Sequence, residues 1–293
     1  MSERDWIAGI ARQDWLEPVE KRGQELVHEL FKFEGGAKAK NFLHGTWMGH
    51  PLHVVLTDIP IGAWTAAIVF DAIDSMGKRK RFCAAADVAV ALGLAGALGA
   101  AVTGMTDWQD IDPPARRIGL VHALINIASV GLFAGSLVAR RRGNRAAGRS
   151  LAALGYAVSA TAARLGGTLV YGEKIGVDHS SREKFPEQFS TVISESEVGE
   201  DKPVGADYKG TPVVLVKRGS QIYALDGTCS HLGGPLAEGK IQGDTIVCPW
   251  HGSQFSILDG HVENGPSVHP QPCLEVRIKN GQVEIRREQP ASE

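Results

Sequence analysis

Cysteine is scarce in this chain: four occur among 293 residues, at positions 83, 229, 248 and 273. So few, at such irregular spacing, exclude a disulfide-built framework. Neither sign of charge dominates. Lys and Arg number 31 against 33 Asp and Glu, leaving a net charge of −2. Bulk charge therefore makes no case for a nucleic-acid partner. Residues 1–34 carry charges throughout and contain no apolar core, so no N-terminal signal peptide is expected.

A mean hydropathy close to zero hides two different halves. Four apolar runs occupy 54–73, 84–105, 118–139 and 151–171. Each is about 20 residues, enough to cross a hydrocarbon core roughly 30 Å thick. They lack the charged face that a soluble amphipathic helix shows every turn. In the second run Gly96, Ala100 and Gly104 recur at four-residue spacing, which lets membrane helices approach closely. The expected domains are an amphipathic segment at 1–53, a four-helix transmembrane bundle at 54–171, a linker at 172–187 and an all-β domain at 188–288. In the first segment Trp6, Ile7, Ile10, Trp15, Leu16, Val19, Leu26, Val27, Leu30 and Phe31 recur at near-helical spacing, as in helices that lie on a bilayer or pack against a partner. Loop charges give an orientation. Lys78, Arg79, Lys80 and Arg81 follow the first run, and Arg140, Arg141, Arg142, Arg145 and Arg149 follow the third. Basic loops stay cytoplasmic, which puts both chain ends on the extracytoplasmic side of a bacterial-type plasma membrane. Asp58 and Arg164 lie one to two turns in from the same face, and an ion pair between them is expected.

The periodicity changes after residue 188. Strand-like runs fall at 191–194, 211–217, 221–226, 244–247, 254–258, 274–279 and 282–287, and Asn280-Gly281 marks a hairpin. Two loops in this region carry chemistry: CSHLGGPL at 229–236 and CPWHGSQF at 248–255. Together they read C-x-H, sixteen residues, then C-x-x-H. Two thiolates and two imidazoles could hold zinc, but zinc sites favour C-x-x-C knuckles, and C-x-H strains a single tetrahedral centre. A two-iron cluster with thiolates on one iron and imidazoles on the other fits better.

These loops, with the strands and the later GPSVHP at 265–270, resemble the Rieske iron–sulfur domain. The resemblance implies a [2Fe-2S] cluster with Cys229 and Cys248 on the buried iron and His231 and His251 on the outer, reducible one. It also implies that Gly265 and Pro266 belong to a loop shielding the cluster. Quinol-oxidising members carry a disulfide between the two cluster loops, where this chain has Gly234 and Trp250. The pattern is thus that of Rieske-type ferredoxins and oxygenase components. Ser253 matches a serine that donates to a cluster sulfide, whereas Phe255 stands where a tyrosine would add a second hydroxyl. One hydroxyl kept and one lost implies a potential below the top of the roughly −150 to +300 mV Rieske range. No oxygenase catalytic domain is expected in this chain. Cys83 and Cys273 match nothing in the pattern and read as ordinary buried residues.

The stretch LHGTWMGHPLHVVLTDIPIGAW resembles an uncharacterised family of four-helix membrane domains. His50 and His53 stand where the first run begins, and His122 lies about one turn into the third. His53 and His122 are candidate axial ligands of a b-type haem, candidate residues of a quinone or metal pocket, or helix-capping groups. The expected function is membrane-anchored Rieske electron transfer in a quinol- or haem-linked chain. The expected partners are the lipid bilayer and a redox protein or quinone, with no nucleic acid. The alternatives are a redox-sensing membrane protein and a ferredoxin component feeding a separate oxygenase.

Overall fold

The computed structural model describes residues 7, 9–10, 12–77, 81–181 and 184–288. Trp6, Lys78, Arg79 and Lys80 lie outside the described residues. The chain divides into two units. A helical unit comprises Met1–Gly36 and Pro51–Ile175, and a β unit comprises Ala37–His50 and Gly176–Glu293. The 1–53 segment drawn from sequence is thus divided, its 37–50 stretch grouping with the β residues.

Among the described residues there are six helices: α1 (Glu17–Glu29), α2 (Gly36–His44), α3 (Leu52–Gly77), α4 (Arg81–Trp108), α5 (Ala115–Arg141) and α6 (Arg145–Gly167). By length and composition three can cross a membrane, over Leu52–Gly77, Phe82–Trp108 and Ala115–Arg141. The fourth span read from sequence is not among them. Its helix, α6, begins with Arg145 and Arg149 and draws its apolar stretch largely from weakly apolar Ala, Gly, Ser and Thr. The spans turn large apolar side chains outward: Val88, Leu92, Leu98, Leu124 and Ile127 are all more than half exposed. Their shared core is narrow. Trp64 stacks on Phe133 with ring centroids 4.0 Å apart, beside the fully buried Ala67, Val90 and Ala152.

Close helix approach depends on missing side chains. A Cβ on Gly93 would lie 2.2 Å from Trp64 Nε1, and one on Gly96 would lie 2.5 Å from Ile59. Gly93→Ala should therefore destabilise the helical unit. Overpacking costs about 1–3 kcal/mol, and it outweighs the gain of up to about 1 kcal/mol in helix propensity. A lower thermal midpoint in detergent, followed by helical circular dichroism, is the check.

At one end of the helices lies a balanced group of charges. Arg140 is buried and donates to both carboxylate oxygens of Asp71, to Asp87 at 3.2 Å and to Ser136 Oγ at 3.0 Å. Arg145 pairs with Asp87 at 2.9 Å, and Arg149 pairs with Asp74. Three of the arginines counted as loop charges are thus helical and neutralised by three aspartates, while Arg141 and Arg142 are exposed. Asp58 and Arg164 are both exposed, so neither charge needs an ion pair to offset burial inside the protein.

Helix α1 docks on the far end of the α4–α5 hairpin. Its buried Glu20 accepts from Arg116 at 3.0 Å and Arg117 at 3.4 Å. Gln24 donates to the carbonyls of Trp108 and Ile111, and Gly23 lies against the Trp108 ring.

Among the described residues the β unit holds ten strands: β1 (Ser190–Ser194), β2 (Pro203–Tyr208), β3 (Thr211–Arg218), β4 (Gln221–Asp226), β5 (Lys240–Gln242), β6 (Thr245–Val247), β7 (Gln254–Ser256), β8 (Val262–Asn264), β9 (Cys273–Lys279) and β10 (Gln282–Arg287). They form a six-stranded sheet in the order β1-β10-β9-β4-β3-β2 and a four-stranded sheet in the order β5-β6-β7-β8. Val213 and Leu215 enter one core and Val214 and Val216 the other, so β3 is buried on both faces and reads as a continuous apolar run.

Candidate metal centre

Cys229 follows β4, and Cys248 begins the β6–β7 turn. The two loops repeat one hydrogen-bond scheme. Cys229 N–H donates to the Gly234 carbonyl at 2.8 Å and Cys248 N–H to the Ser253 carbonyl at 2.8 Å. Gly233 and Gly252 each donate back to the carbonyl of the cysteine four residues earlier, at 2.9 and 3.1 Å. Both take a positive φ, +79° and +76°, a conformation that glycine adopts at little cost. The turn aims two further N–H groups at each sulfur: those of His231 and Leu232 at Cys229, and those of Trp250 and His251 at Cys248. Such donors favour a thiolate. The thiols are nearly inaccessible, at 1% and 3% exposure. Cys248 is pushed down to about 6, chiefly by the hydrogen bond from the Cys229 thiol. Cys229 is raised, because it keeps the proton of that bond and is buried.

The histidines form a second pair. The rings of His231 and His251 meet edge to face with centroids 5.1 Å apart, and both are half-buried. Among the described residues no three His, Cys, Asp or Glu side chains converge on one metal position. Two buried thiols and two outer imidazoles in separate pairs suit a two-iron site, with sulfur and nitrogen donors divided between its irons, better than one tetrahedral ion.

A third loop is hydrogen-bonded to both of these loops. Pro266 and Ser267 are buried. Ser267 N–H donates to Ser253 Oγ at 3.1 Å, which leaves the Ser253 hydroxyl hydrogen free to point elsewhere. Ser230 Oγ lies 2.9 Å from Ser267 Oγ and donates to the His269 carbonyl. Gln271, also buried, accepts from Ser230 N–H at 3.0 Å and donates to the carbonyls of Asp226 and Thr228. The buried Asp226 carboxyl is raised above its ordinary range by desolvation, against N–H donors from Ser181 and Thr228. Ser230, Ser267 and Gln271 escaped the sequence reading. They carry no metal-ligating chemistry, and their spacing has no period.

Trp250 is 56% exposed. A Cβ built on Gly234 would lie 2.8 Å from Cys248 Sγ and 3.2 Å from the Trp250 ring. The two positions that lack the disulfide are therefore in direct packing contact, indole on glycine. Gly234→Ala should displace the Cys248 sulfur and lower iron bound per chain several-fold, measured by metal analysis, while far-ultraviolet dichroism stays unchanged.

The helical unit holds the other candidates. His53 Nδ1 is 2.8 Å from the Ala100 carbonyl, and His122 Nδ1 is 2.8 Å from the Ala162 carbonyl. A carbonyl only accepts, so both Nδ1 atoms carry the proton. Asn126 Nδ2 lies 3.1 Å from His122 Nε2. His50 is exposed in the β unit.

An antiparallel β domain with a pair of buried thiols and a pair of half-buried imidazoles on two matching loops is the arrangement of an iron–sulfur electron-transfer protein. Residues 188–276 match the Rieske [2Fe-2S] domain, and residues 49–179 match a predicted membrane protein family, DUF2231. The chain is 36% identical over 77 residues to Ferredoxin CarAc of Metapseudomonas resinovorans, covering 26% of this chain and 72% of that one. It is 36% identical over 74 residues to Apoptosis-inducing factor 3 of Mus musculus, but spans only 12% of that protein's length. A solved complex of reduced oxygenase and oxidized ferredoxin in carbazole 1,9a-dioxygenase holds a chain 29% identical to this one, at a TM-score of 0.33, with 36% of this chain and 99% of that one covered. The chain belongs to the Rieske [2Fe-2S] family, and its Rieske domain follows a membrane-protein domain.

Proposed function

We propose that this protein is a membrane-anchored one-electron carrier that exchanges electrons with a redox partner protein. Cys229 and Cys248 hold the inner iron of a [2Fe-2S] cluster, and His231 and His251 hold the outer one. The observation that carries this reading is the duplicated loop, which aims two N–H groups at each buried thiol and leaves the imidazole pair half-exposed. When bound, the cluster supplies reversible one-electron chemistry. The chain buries the thiol end, covers it with Pro266, and leaves the histidine end as the route for electrons. The packing of Gly234 under Trp250, with no disulfide, supports the ferredoxin-like type. So does similarity to a ferredoxin and to an anthranilate 1,2-dioxygenase ferredoxin subunit from Burkholderia cepacia.

A second reading, a quinol- or haem-linked chain, draws on His53 and His122. An Nδ1–H held by a carbonyl leaves Nε2 as the ligating atom, the arrangement that orients metal-bound histidine. At His122 the Asn126 amide would have to move away first. Reduced-minus-oxidised optical spectra with low-temperature EPR on the purified full-length protein test both readings. A Rieske EPR signal supports the carrier, and its absence from iron-reconstituted protein overturns it. Haem bands lost on His53 or His122 replacement support the second site, and a spectrum without haem bands removes haem from it.

The β domain is assigned to the extracytoplasmic face. Helix α6 retraces α5: His122 bonds to Ala162 and, at the other end, Ser136 bonds to Gly148. The exposed Arg141 and Arg142 favour a cytoplasmic turn between these helices. A reporter fused to the C-terminus that is active only in the cytoplasm would reverse the assignment.

A further inference from the structure

Pro266 has no N–H, so the covering loop is held through the donors on either side of it. Ser267 N–H is taken by Ser253, on the second cluster loop. Gly265 N–H is taken by Asn41 Oδ1, at 2.9 Å. Asn41 lies on α2, far outside the matched residues 188–276 but within the same β unit. Its amide nitrogen also donates to Asn264 Oδ1 at 2.6 Å and to the Glu263 carbonyl at 3.4 Å.

The rest of the segment fits the same loop. His44 is 1% exposed, and its ring lies 3.2 Å from where a Gly265 Cβ would stand, with Thr46 at 3.4 Å. Asn41 is itself fixed, because its carbonyl accepts from Gly45 N–H and Thr46 Oγ1, both at 3.1 Å. Gly45, at φ +88°, ends the helix there.

We infer that Asn41 is a positioning residue for the cluster: it fixes the proline loop over the site from outside the Rieske domain. The inference rests on the Rieske reading above. Its consequence is that the stretch leading into the first apolar helix forms part of the cluster's cover. Access of water and small molecules to the site then depends on α2 as well as on the β domain.

The test uses full-length Asn41→Ala and Asn41→Asp. Hydrogen exchange of the 263–268 backbone is read first, in protein without iron. Losing the Gly265 bond alone, worth about 1 kcal/mol net, should speed exchange there by roughly fivefold, and Asn41→Ala, which also loses the two bonds of the amide nitrogen, by at least that much. Asn41→Asp keeps the acceptor for Gly265 N–H but loses the two bonds from the amide nitrogen, and should speed exchange less than Asn41→Ala does. In iron-loaded protein Asn41→Ala should shift the midpoint potential and release iron to a chelator several-fold faster, with Asn41→Asp intermediate. Asn264→Ala, which leaves the Asn41–Gly265 bond in place, serves as a milder second variant and should follow the same direction. Unchanged exchange at 263–268 in Asn41→Ala overturns the clamp. Faster exchange with unchanged potential and iron release reduces Asn41 to a structural contact and overturns the positioning role. If the protein forms no cluster, the Rieske reading fails separately, and the exchange result still decides the clamp.

Discussion

Cys248→Ala should abolish the cluster in the full-length protein, with iron per chain and the Rieske EPR signal both falling to background. Cys248 Sγ receives the N–H groups of Trp250 and His251, and its residue is 3% exposed, against Gly234 and the Cys229 thiol. Cys273 lies on β9, with its sulfur against the Gln271 carbonyl and beside Gly260, and Cys83 belongs to the helical unit. The fold should survive, because Leu225, Leu236, Ile246, Phe255 and Ile257 still fill the core beneath the loops. Unchanged far-ultraviolet dichroism beside the lost signal separates loss of a ligand from loss of the domain. Retention of half the parent iron with a Rieske spectrum would show that Cys248 is not a ligand.

The cluster loops were legible because metal chemistry restricts residue type. A thiol and an imidazole three or fewer residues apart, twice, leave few alternatives, and the glycines that shape both turns fall at the same offset from each cysteine. The inner strands were legible too, since β3, β4, β9 and β10 bury alternate or continuous apolar residues. The strands missed are β2, β5 and β8. Each lies at the edge of its sheet, and PVGADY, KIQ and VEN are short or poor in β-branched residues. An edge strand is held by its neighbour's backbone and needs little apolar signal of its own. Asn41 was hidden for a different reason. One asparagine on a short helix, more than two hundred residues from its partner Gly265, leaves no local pattern. In the helical unit, hydropathy located the apolar segments but not the faces. It therefore counted Arg140, Arg145 and Arg149 as loop charges, when all three have aspartate partners.

Those arginines carry the second large effect. Arg140→Met should be among the most destabilising single changes in the helical unit. The arginine side chain is wholly inaccessible, and it forks across Asp71 while also donating to Asp87 and Ser136. Among the described residues, removing it leaves the nearly buried Asp71 with the more distant Arg149, at 3.7 Å, as its remaining ion-pair partner. Breaking a buried pair from one side costs about 3–5 kcal/mol, because a charge is left without compensation. Replacing both partners together, Asp71→Leu with Arg140→Met, removes that uncompensated charge and should recover most of the loss. The residual cost is Arg140's favourable place at the C-terminal end of α5, roughly 0.3–1 kcal/mol. Arg145→Met provides the contrast. Its ion pair with Asp87 is about a third exposed on both sides, where solvent screening holds such pairs to about 1 kcal/mol or less. Thermal unfolding of the three variants in one detergent, followed by helical dichroism, should therefore rank Arg140→Met far below the double variant and Arg145→Met close to the parent. An Arg140→Met midpoint as high as that of Arg145→Met would mean that water reaches Asp71 at the helix ends, and that the group is a surface feature rather than the lock on the α3, α4, α5 and α6 ends.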